Sequence, residues 1–268
     1  MTKLGLNSKA FEEYVSFPIP QRDRRKPRDR GITMVIDEGI GYRHTQDLCE
    51  LADNYIDVVK ISFGTSRLYD KALLSKKIAL YRKCGIDVMP GGTLFEIAAA
   101  QNALDGFLKE AKELGFSIIE VSDGTVTIGN DTRVQAIRKA RELGFKVISE
   151  VGRKTAERDL TTEGYLNGIK SDLKEDVFKV LIEARASGRG LGIYDESGTV
   201  REDRLKALVE AIDITKLIFE APLSHQQIYL ISKYGPNVNL GNIMPEAVIS
   251  CEALRLGLRG DTLKTVYV

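Results

Sequence analysis

The sequence is poor in the residues that build disulfide scaffolds and zinc sites. It has three cysteines, Cys49, Cys84 and Cys251, which lie far apart and form no Cys-x-x-Cys pair, and it has two histidines. An odd number of scattered cysteines argues against a disulfide framework or a zinc site and fits a reducing compartment. We therefore expect a cytoplasmic protein.

Long apolar runs and an excess of charge of one sign are also missing. No uninterrupted apolar segment reaches the roughly 18 residues that a membrane span needs, and no apolar stretch typical of a secretory signal stands at the N-terminus. The formal net charge is +1, so no global field points to nucleic acid or a membrane as a partner. The 268 residues suffice for one large domain or two small ones.

The first 30 residues differ from the rest of the chain. Between Gln21 and Arg30 there are six basic and two acidic residues around Pro27. Runs of charge are usually solvated, so we interpret residues 1–30 as a basic N-terminal extension that lies across the body of the protein. A nucleic-acid-binding arm is the alternative, but nothing else in the sequence supports it. The remaining 31–268 then form the folded domain.

From Ile32 onwards, short apolar segments alternate with amphipathic helical segments. The apolar segments are typical of buried strands and cover 32–36, 56–61, 86–90, 117–122, 146–151, 178–184, 216–221 and 237–241. Helices are expected between them, for example over 96–114, 131–143, 201–211 and 245–257. Eight such units predict an α/β fold, a single-domain (β/α)8 TIM barrel. An open doubly wound sheet is the alternative, but it would more often show a glycine-rich fingerprint after its first strand.

Four strand segments each deliver one glutamate at a matching position, namely Glu120, Glu150, Glu183 and Glu220. A buried carboxylate is costly unless a cation, a proton or a metal satisfies it. Because TIM-barrel active sites lie at the C-terminal ends of the strands, we expect these side chains to share one cavity there. Carboxylates suit Mg²⁺, which usually takes one or two of them and keeps several waters. Structural ion pairs with cations are the alternative.

Three cations follow strand segments: Lys60, Lys154 and Arg185. Cations at the mouth of an acidic cavity suit a small anionic substrate, since arginine can bind a carboxylate or phosphate with two hydrogen bonds. Lys154 is also a candidate proton donor, if desolvation and neighbouring cations lower its pKa. Neutralisation of the glutamates is the alternative role.

Two helix starts could hold an oxyanion through backbone N–H groups. Gly91-Gly92-Thr93 precedes a helix in which Thr93 and Glu96 fit a capping box. Asn239 to Asn242 precedes Pro245, a proline at a first-turn position, and is favoured because barrel phosphate sites often follow the seventh and eighth strands.

Two further segments lie after the sixth and seventh strand segments. Ser187 to Gly192 is rich in glycine and could close over a substrate as a lid, or could simply form a turn. Gln227 fits a capping box with Ser224, which leaves Gln226 freer to face the site. A catalytic role for His225 is less expected than a structural one.

Several motifs, in order along the chain, resemble the phosphosulfolactate synthase family. They span about residues 31 to 263 and read Tyr55 to Lys60, Gly64-Thr65-Ser66, Pro90 to Glu96, Ser149 to Gly152, Glu183-Ala184-Arg185, Phe219 to Pro222, Gln226-Gln227, Asn237 to Leu240 and Leu254 to Thr262. The resemblance implies a (β/α)8 barrel that uses Mg²⁺ to add sulfite to phosphoenolpyruvate, giving (2R)-phospho-3-sulfolactate. This reaction belongs to coenzyme M or sulfolactate biosynthesis. The family also suggests a homo-oligomer, a trimer.

With this reaction in view, each candidate residue has an expected role. Lys154 is the general acid and Glu150 the second catalytic residue. We expect Mg²⁺ ligands among Glu120, Glu150 and Glu183. Substrate binding is expected from Lys60, Arg185, Gln226, Asn239, Asn242 and Arg259.

The chain departs from the family pattern at Ser62, Phe63 and Ala186, all near predicted strand ends. These departures motivate one alternative, a related barrel enzyme acting on another small phosphorylated or carboxylated substrate. The other is a non-enzymatic, stress-associated protein, since the family also includes heat-stress-associated plant proteins.

Overall fold

The computed structural model describes residues 9–19, 21–153 and 159–267. Its eight strands are β1 (Thr33–Asp37), β2 (Val58–Ile61), β3 (Asp87–Pro90), β4 (Ile118–Val121), β5 (Lys146–Val151), β6 (Lys179–Ile182), β7 (Leu217–Glu220) and β8 (Leu240–Ile243). The helices described are α1 (Tyr42–Ala52), α2 (Lys71–Lys83), α3 (Gly92–Ala100), α4 (Leu104–Leu114), α5 (Asn130–Glu142), α6 (Thr162–Lys174), α7 (Glu202–Ala211), α8 (Ser224–Tyr234), α9 (Val248–Arg255) and α10 (Gly260–Tyr267).

The strands form one parallel sheet in the order β3-β2-β1-β8-β7-β6-β5-β4, which curves into a nearly closed barrel. β3 and β4 stand at the two ends of the strand order, and Ser117, just before β4, joins them through two hydrogen bonds to the backbone of Val88. Its N–H donates to the carbonyl of Val88 at 3.0 Å, and its Oγ accepts from the Val88 N–H at 3.0 Å. The predicted TIM barrel is confirmed.

The barrel interior is filled by alternate residues of the strands. An apolar layer crosses its middle, formed by Ile32, Met34, Val58, Met89, Ile118, Ile148, Leu181 and Ile218. A larger apolar core lies between the outer faces of the strands and the helices. Because side chains alternate along a strand, the residues two positions after the middle layer face the same interior, at the C-terminal end of the barrel.

Most predicted boundaries lie within two residues of those in the structure, and three elements differ more. The eighth strand begins at Leu240 rather than at residue 237. The helix expected over 96–114 is two helices, α3 and α4, because the chain turns at Asn102, whose φ of 53° lies in the left-handed region. The helix expected over 245–257 is a 3-10 turn over Pro245–Ala247 followed by α9. Two glycines follow helices α4 and α5 with a left-handed backbone, Gly115 with φ 94° and Gly144 with φ 81°, as is common after the end of a helix.

Basic residues of the N-terminal segment pack against the N-terminal ends of the strands. Arg22 is buried and pairs with Glu252 at 3.0 Å. Arg28 pairs with Asp57, just before β2, at 2.9 Å. Lys26 donates to two backbone carbonyls that precede β2. These contacts hold the segment across the base of the barrel. Within the described residues, no helix has the length and apolarity that a membrane crossing requires.

Candidate active site

A cavity of about 540 Å³ opens at the C-terminal ends of the strands. Its wall includes all four of the matching glutamates, which are almost completely buried. Each stands two residues after an apolar residue of the middle layer, as Glu120 stands after Ile118. The other lining residues are Ile36, Lys60, Ser62, Phe63, Gly91, Gly92, Thr93, Thr125, Arg185, Ala186, Ser187 and Asn242.

Lys60 is a fixed cation within this acidic layer. Its Nζ lies 3.2 Å from Oε1 of Glu120 and 3.0 Å from Oε1 of Glu220. Burial alone would lower the pKa of Lys60, but the attraction of Glu120 and Glu220 outweighs it and raises that pKa well above its usual value. Lys60 is therefore protonated at any physiological pH.

Backbone N–H groups bind the second oxygens of the same two glutamates. Oε2 of Glu120 accepts from the N–H of Gly92 at 2.5 Å, and Oε2 of Glu220 accepts from the N–H of Ala184 at 2.9 Å. The structural ion-pair interpretation therefore describes Glu120 and Glu220, since both of their oxygens hold the barrel mouth together.

Glu150 belongs to a chain of side chains that links β5 to α3. Ser122 Oγ lies 2.7 Å from Oε1 of Glu150 and 2.7 Å from Oε1 of Glu96. Oε2 of Glu96 accepts from the backbone N–H groups of Thr125 and Val126 at 2.9 and 2.7 Å. Glu96 thus shapes the loop after β4, and Ser122 transmits that arrangement to Glu150.

The capping box expected from Thr93 and Glu96 is wrong. Helix α3 begins at Gly92 with Gly91 as its N-cap, so Glu96 lies beyond the capping position and faces the next loop. The glycines are needed there because a Cβ on Gly91 would lie 2.4 Å from the amide N of Phe63. Nothing in the sequence pattern signalled the contact of Glu96 with the loop after β4.

Glu183 and Arg185 lie together after β6. The N–H of Arg185 donates to Oε1 of Glu183, and Arg185 adopts a left-handed φ of 63°. Gly152, at the end of β5, allows this approach, since a Cβ there would lie 2.5 Å from Cβ of Glu183. The Arg185 side chain lines the cavity and supplies its second described cation.

Two buried polar atoms on residues that line the cavity have no hydrogen-bond partner among the described residues: Oγ of Ser62 and Oδ1 of Asn242. Asn242 has a left-handed φ of 53°, which asparagine tolerates better than most residues. Buried polar groups are normally satisfied, so these two atoms are placed to receive a ligand or water.

Three predicted substrate-binding residues do not line the cavity. Asn239 precedes β8 at the other end of the strand, where its Nδ2 donates to the carbonyls of Thr215 and Leu217 at 3.0 and 2.8 Å. The late start of β8 explains the difference. Arg259 pairs with Asp261 at 2.8 Å and donates to Ser250 at 2.9 Å.

Gln226 is the third of these residues. Its Oε1 accepts from the N–H of Leu223 at 3.1 Å, and its Nε2 donates to the carbonyls of Gly188 and Gly198 at 2.7 and 3.0 Å. The capping role expected of Gln227 therefore belongs to Gln226, because α8 is capped at Leu223 rather than at Ser224. Gln226 holds the loop that follows the cavity residues Ala186 and Ser187.

Asp37, at the end of β1, and Asp123, just after β4, are both engaged by cations. Asp37 pairs with the buried Lys77 at 2.6 Å and accepts from Tyr81 at 3.0 Å. Burial raises the pKa of Asp123 although Arg133 lies 3.3 Å away. The sequence analysis did not predict that Lys77 pairs with Asp37. Lys77 lies on the buried face of α2, and the sequence of α2 has the pattern of an ordinary amphipathic helix. Lys154, the predicted general acid, lies outside the described residues.

The carboxylates fit a magnesium ion only in part. Among the described residues, no group of three or more histidine, cysteine, aspartate or glutamate side chains is arranged to hold a metal ion. Glu120 is bonded through both oxygens to Lys60 and Gly92. Glu150 and Glu183 come from the adjacent strands β5 and β6 and share the cavity wall. Mg²⁺ usually takes one or two carboxylates from a protein, so the kind and number of donors in this pair suit the ion.

The fold and this cavity define the class of protein: a TIM-barrel enzyme with a charged active site at the C-terminal mouth of the barrel. The family follows from comparison with known proteins. The family described as (2R)-phospho-3-sulfolactate synthase (ComA) matches residues 21–261. The chain therefore belongs to the phosphosulfolactate synthase family, as its motifs predicted.

A named phosphosulfolactate synthase, a plant protein of another name and a solved structure with the same fold are all similar to this chain. The phosphosulfolactate synthase of Methanothermobacter thermautotrophicus is 43% identical over 243 residues, which cover 90% of this chain and 94% of that protein. Protein HEAT-STRESS-ASSOCIATED 32 of Arabidopsis thaliana is 23% identical over 255 residues, covering 86% of this chain and 88% of that protein. Among solved structures, dihydrodipicolinate synthase of Agrobacterium tumefaciens shares the fold, with a TM-score of 0.54 at 9% identity over 89% of this chain and 77% of that chain.

Proposed function

We propose that this enzyme adds sulfite to phosphoenolpyruvate in a Mg²⁺-dependent reaction that gives (2R)-phospho-3-sulfolactate. The observation that carries the proposal is the composition of one cavity. It combines a carboxylate pair suited to Mg²⁺, the cation Arg185 and two buried polar atoms that await a partner. Both substrates are small anions, and their charges suit Arg185, the Ser62 hydroxyl and the proposed metal, whereas the unpaired Oδ1 of Asn242 is an acceptor that would hold a water molecule or another donor.

The reaction makes one carbon–sulfur bond. The sulfur lone pair of sulfite attacks the methylene carbon, C3, of phosphoenolpyruvate. The electrons of the C2–C3 double bond move toward C2 and the carboxylate, and a proton is then delivered to C2. The phosphate ester is not broken, so atoms and charge balance with that one proton.

The residues of the cavity divide this work. Arg185 can hold a phosphate or carboxylate with two parallel hydrogen bonds, and the Ser62 hydroxyl and the Asn242 amide can donate to further oxygens. Glu150 and Glu183 would hold Mg²⁺, which supplies Lewis-acid stabilisation of the negative charge that develops on the substrate carboxylate. Lys154, three residues after the end of β5, is the proposed donor of the proton to C2.

A second candidate function keeps the barrel and the carboxylate pair but uses another small phosphorylated or carboxylated substrate. It is favoured by the position of Ser62, Phe63 and Ala186, all of which line the cavity. These are the places where the sequence departs from the family pattern, so they are where a changed substrate would be recognised.

The proposal is tested by incubating purified protein with phosphoenolpyruvate and sulfite, with and without Mg²⁺, and following the product by mass. Glu150→Gln, Glu183→Gln and Lys154→Ala should each abolish or strongly reduce product. Matched controls are Glu210→Gln and Lys206→Ala, both on the exposed face of α7, which should leave it unchanged. Phosphoenolpyruvate that binds without forming product would favour the second candidate.

We also propose that the enzyme is cytoplasmic and forms a homo-oligomer, the trimer that the family resemblance implies. The described cysteines are unpaired thiols, which suits a reducing compartment. Exposed apolar side chains, among them Leu68, Phe63 and Ile97, offer surface for subunit contacts. Light scattering of the purified protein measures the subunit number directly.

A further inference from the structure

Three neighbouring strands repeat one five-residue pattern, in which a lysine, an apolar residue and a glutamate alternate with outward-facing residues. Along β5, β6 and β7 and the residues that flank them, the pattern reads Lys146-x-Ile148-x-Glu150, Lys179-x-Leu181-x-Glu183 and Lys216-x-Ile218-x-Glu220; Lys216 directly precedes β7 and Glu183 directly follows β6. The middle residues lie in the barrel interior. Since alternate residues share a face, the glutamates mark the mouth of the barrel and the lysines mark its base.

The three lysines line a second cavity, of about 390 Å³, at the base of the barrel. Arg141 adds a fourth cation to its wall, and among the described residues two carboxylates, Asp29 and Asp176, also line it. Both Arg141 and Lys146 have ionic partners, the latter Asp87 at 2.7 Å. After these pairs are formed, Lys179 and Lys216 remain without a direct ion pair among the described residues, and Asp29 and Asp213 are the carboxylates whose charge acts on Lys179.

Lys179 is the unusual member of this set. It is only 3% exposed, and its Nζ lies 4.8 Å from the centre of the Phe178 ring. Within the described part of the chain, its ammonium has no hydrogen bond or ion pair. The face of the Phe178 ring attracts the ammonium group. It does not provide the hydrogen-bond acceptor that a carboxylate or phosphate oxygen would provide.

The electrostatic environment of Lys179 is unfavourable in the absence of an anion. Burial and the neighbouring Lys216 lower the pKa of Lys179 below its usual value. Lys216 is exposed at its rim and likewise has no ionic partner among the residues described. The two ammonium groups face the open cavity, so an anion placed between them would offset their mutual repulsion, which is one cause of the lowered pKa of Lys179.

We propose that the basal cavity is a binding site for a small oxyanion of the phosphate class, held between Lys179 and Lys216. Both ammonium groups donate hydrogen bonds to its oxygens. Lys146 adds charge from the side while it keeps its pairing with Asp87. The site lies at the opposite end of the barrel from the active-site cavity, so it is independent of the proposed reaction and would serve an effector rather than a substrate.

The test is calorimetric titration of the whole protein with inorganic phosphate, in chloride buffers of matched ionic strength. Lys179→Met and Lys216→Met should each weaken binding by about tenfold or more, because each removes a charge-assisted hydrogen bond. Lys206→Met, an exposed lysine on α7, is the matched control and should bind phosphate as the unchanged protein does. Lys216 is exposed, so its variant remains informative if Lys179→Met does not fold.

Each outcome decides the proposal. Loss of one binding event in both basal variants and its retention in Lys206→Met supports it. Absence of binding to the unchanged protein at tens of millimolar phosphate overturns it, as does undiminished binding by both basal variants. Binding that chloride alone suppresses also overturns it, because that result indicates only screened surface attraction. None of these readings depends on whether the enzyme forms the proposed product.

Discussion

The Nζ of Lys60 lies 3.0 Å from Oε1 of Glu220, although two strands separate β2 from β7 in the sheet. The contact spans the barrel mouth, and the same Nζ reaches Glu120 on β4. One buried cation thus joins three strands at the level of the active-site cavity. Glu120 and Glu220 thus share Lys60, whereas Glu150 and Glu183, which we propose for the metal, contact Ser122 and the Arg185 N–H.

Replacement of Lys60 by methionine should destabilise the fold. Lys60→Met leaves the two glutamates buried beside each other without the cation between them, and removal of one partner of a buried pair costs roughly 3–5 kcal/mol. Urea unfolding measures the change in the free energy of unfolding, with Lys206→Met as the control. Adding Glu220→Gln should recover part of the loss, because residues in contact are coupled. A loss below about 1 kcal/mol in Lys60→Met would contradict the role given to this contact.

Asn242 should matter for substrate through its amide and for the fold through its backbone, and two variants separate these effects. Asn242→Gly keeps the left-handed φ of 53° without strain and removes the amide. We expect its affinity for phosphoenolpyruvate to fall by about tenfold while its unfolding free energy changes little.

Asn242→Ala should show the same loss of affinity and, in addition, a destabilisation of about 1–2 kcal/mol from the left-handed backbone. Binding is followed by calorimetry and stability by urea unfolding. Wild-type affinity in Asn242→Gly would remove Asn242 from the proposed substrate site.

Replacement by alanine should lower the thermal stability of the protein at Gly91 and raise it at Gly106. A Cβ on Gly91 would lie 2.4 Å from the backbone N of Phe63, which cannot move aside, whereas a Cβ on Gly106 has nothing within 4 Å. We expect Gly91→Ala to lower the thermal midpoint. Gly106→Ala should raise it, because alanine stabilises a helix interior by about 0.5–1 kcal/mol relative to glycine. Two shifts of the same sign would show that the backbone after β2 yields more easily than its packing suggests.

Many residues of the barrel mouth could be predicted from the sequence, because every second side chain of a strand faces the barrel interior. Once Ile118, Ile148 and Leu181 are read as interior residues, the glutamates two positions later must face the same interior. The same rule applied in the other direction would have found the basal lysines. The prediction was available without any knowledge of which helix packs where.

The parts that could not be predicted depend on contacts between distant segments. Glu96 looks like a capping residue in sequence, yet it binds the loop after β4. Gln226 looks free, yet three backbone groups occupy its amide. Asn239 was placed at the wrong end of its strand, because the start of β8 is set by pairing with β1 and β7 rather than by its own apolar residues.

Lys179→Met should make the protein more stable at neutral pH, with a gain that disappears as the pH rises. The pKa of Lys179 in the folded protein is lowered, by burial and by Lys216, whereas in the unfolded chain it is about 10.4. Between these two values the unfolded state binds more protons than the folded state, so the stability of the unchanged protein rises with pH. Above the unfolded value the lysine is neutral in both states and the penalty is gone.

The difference in unfolding free energy between Lys179→Met and the unchanged protein should therefore be largest below the lowered pKa and should shrink toward pH 10. Urea unfolding at a series of pH values measures it, and Lys206→Met should show no such trend because its side chain is exposed. Phosphate should oppose the effect, since a ligand that binds only the folded state stabilises it and only the protein with Lys179 has the complete site. A pH-independent difference would mean that Lys179 keeps an ordinary pKa, with its ammonium satisfied by water at the base of the barrel.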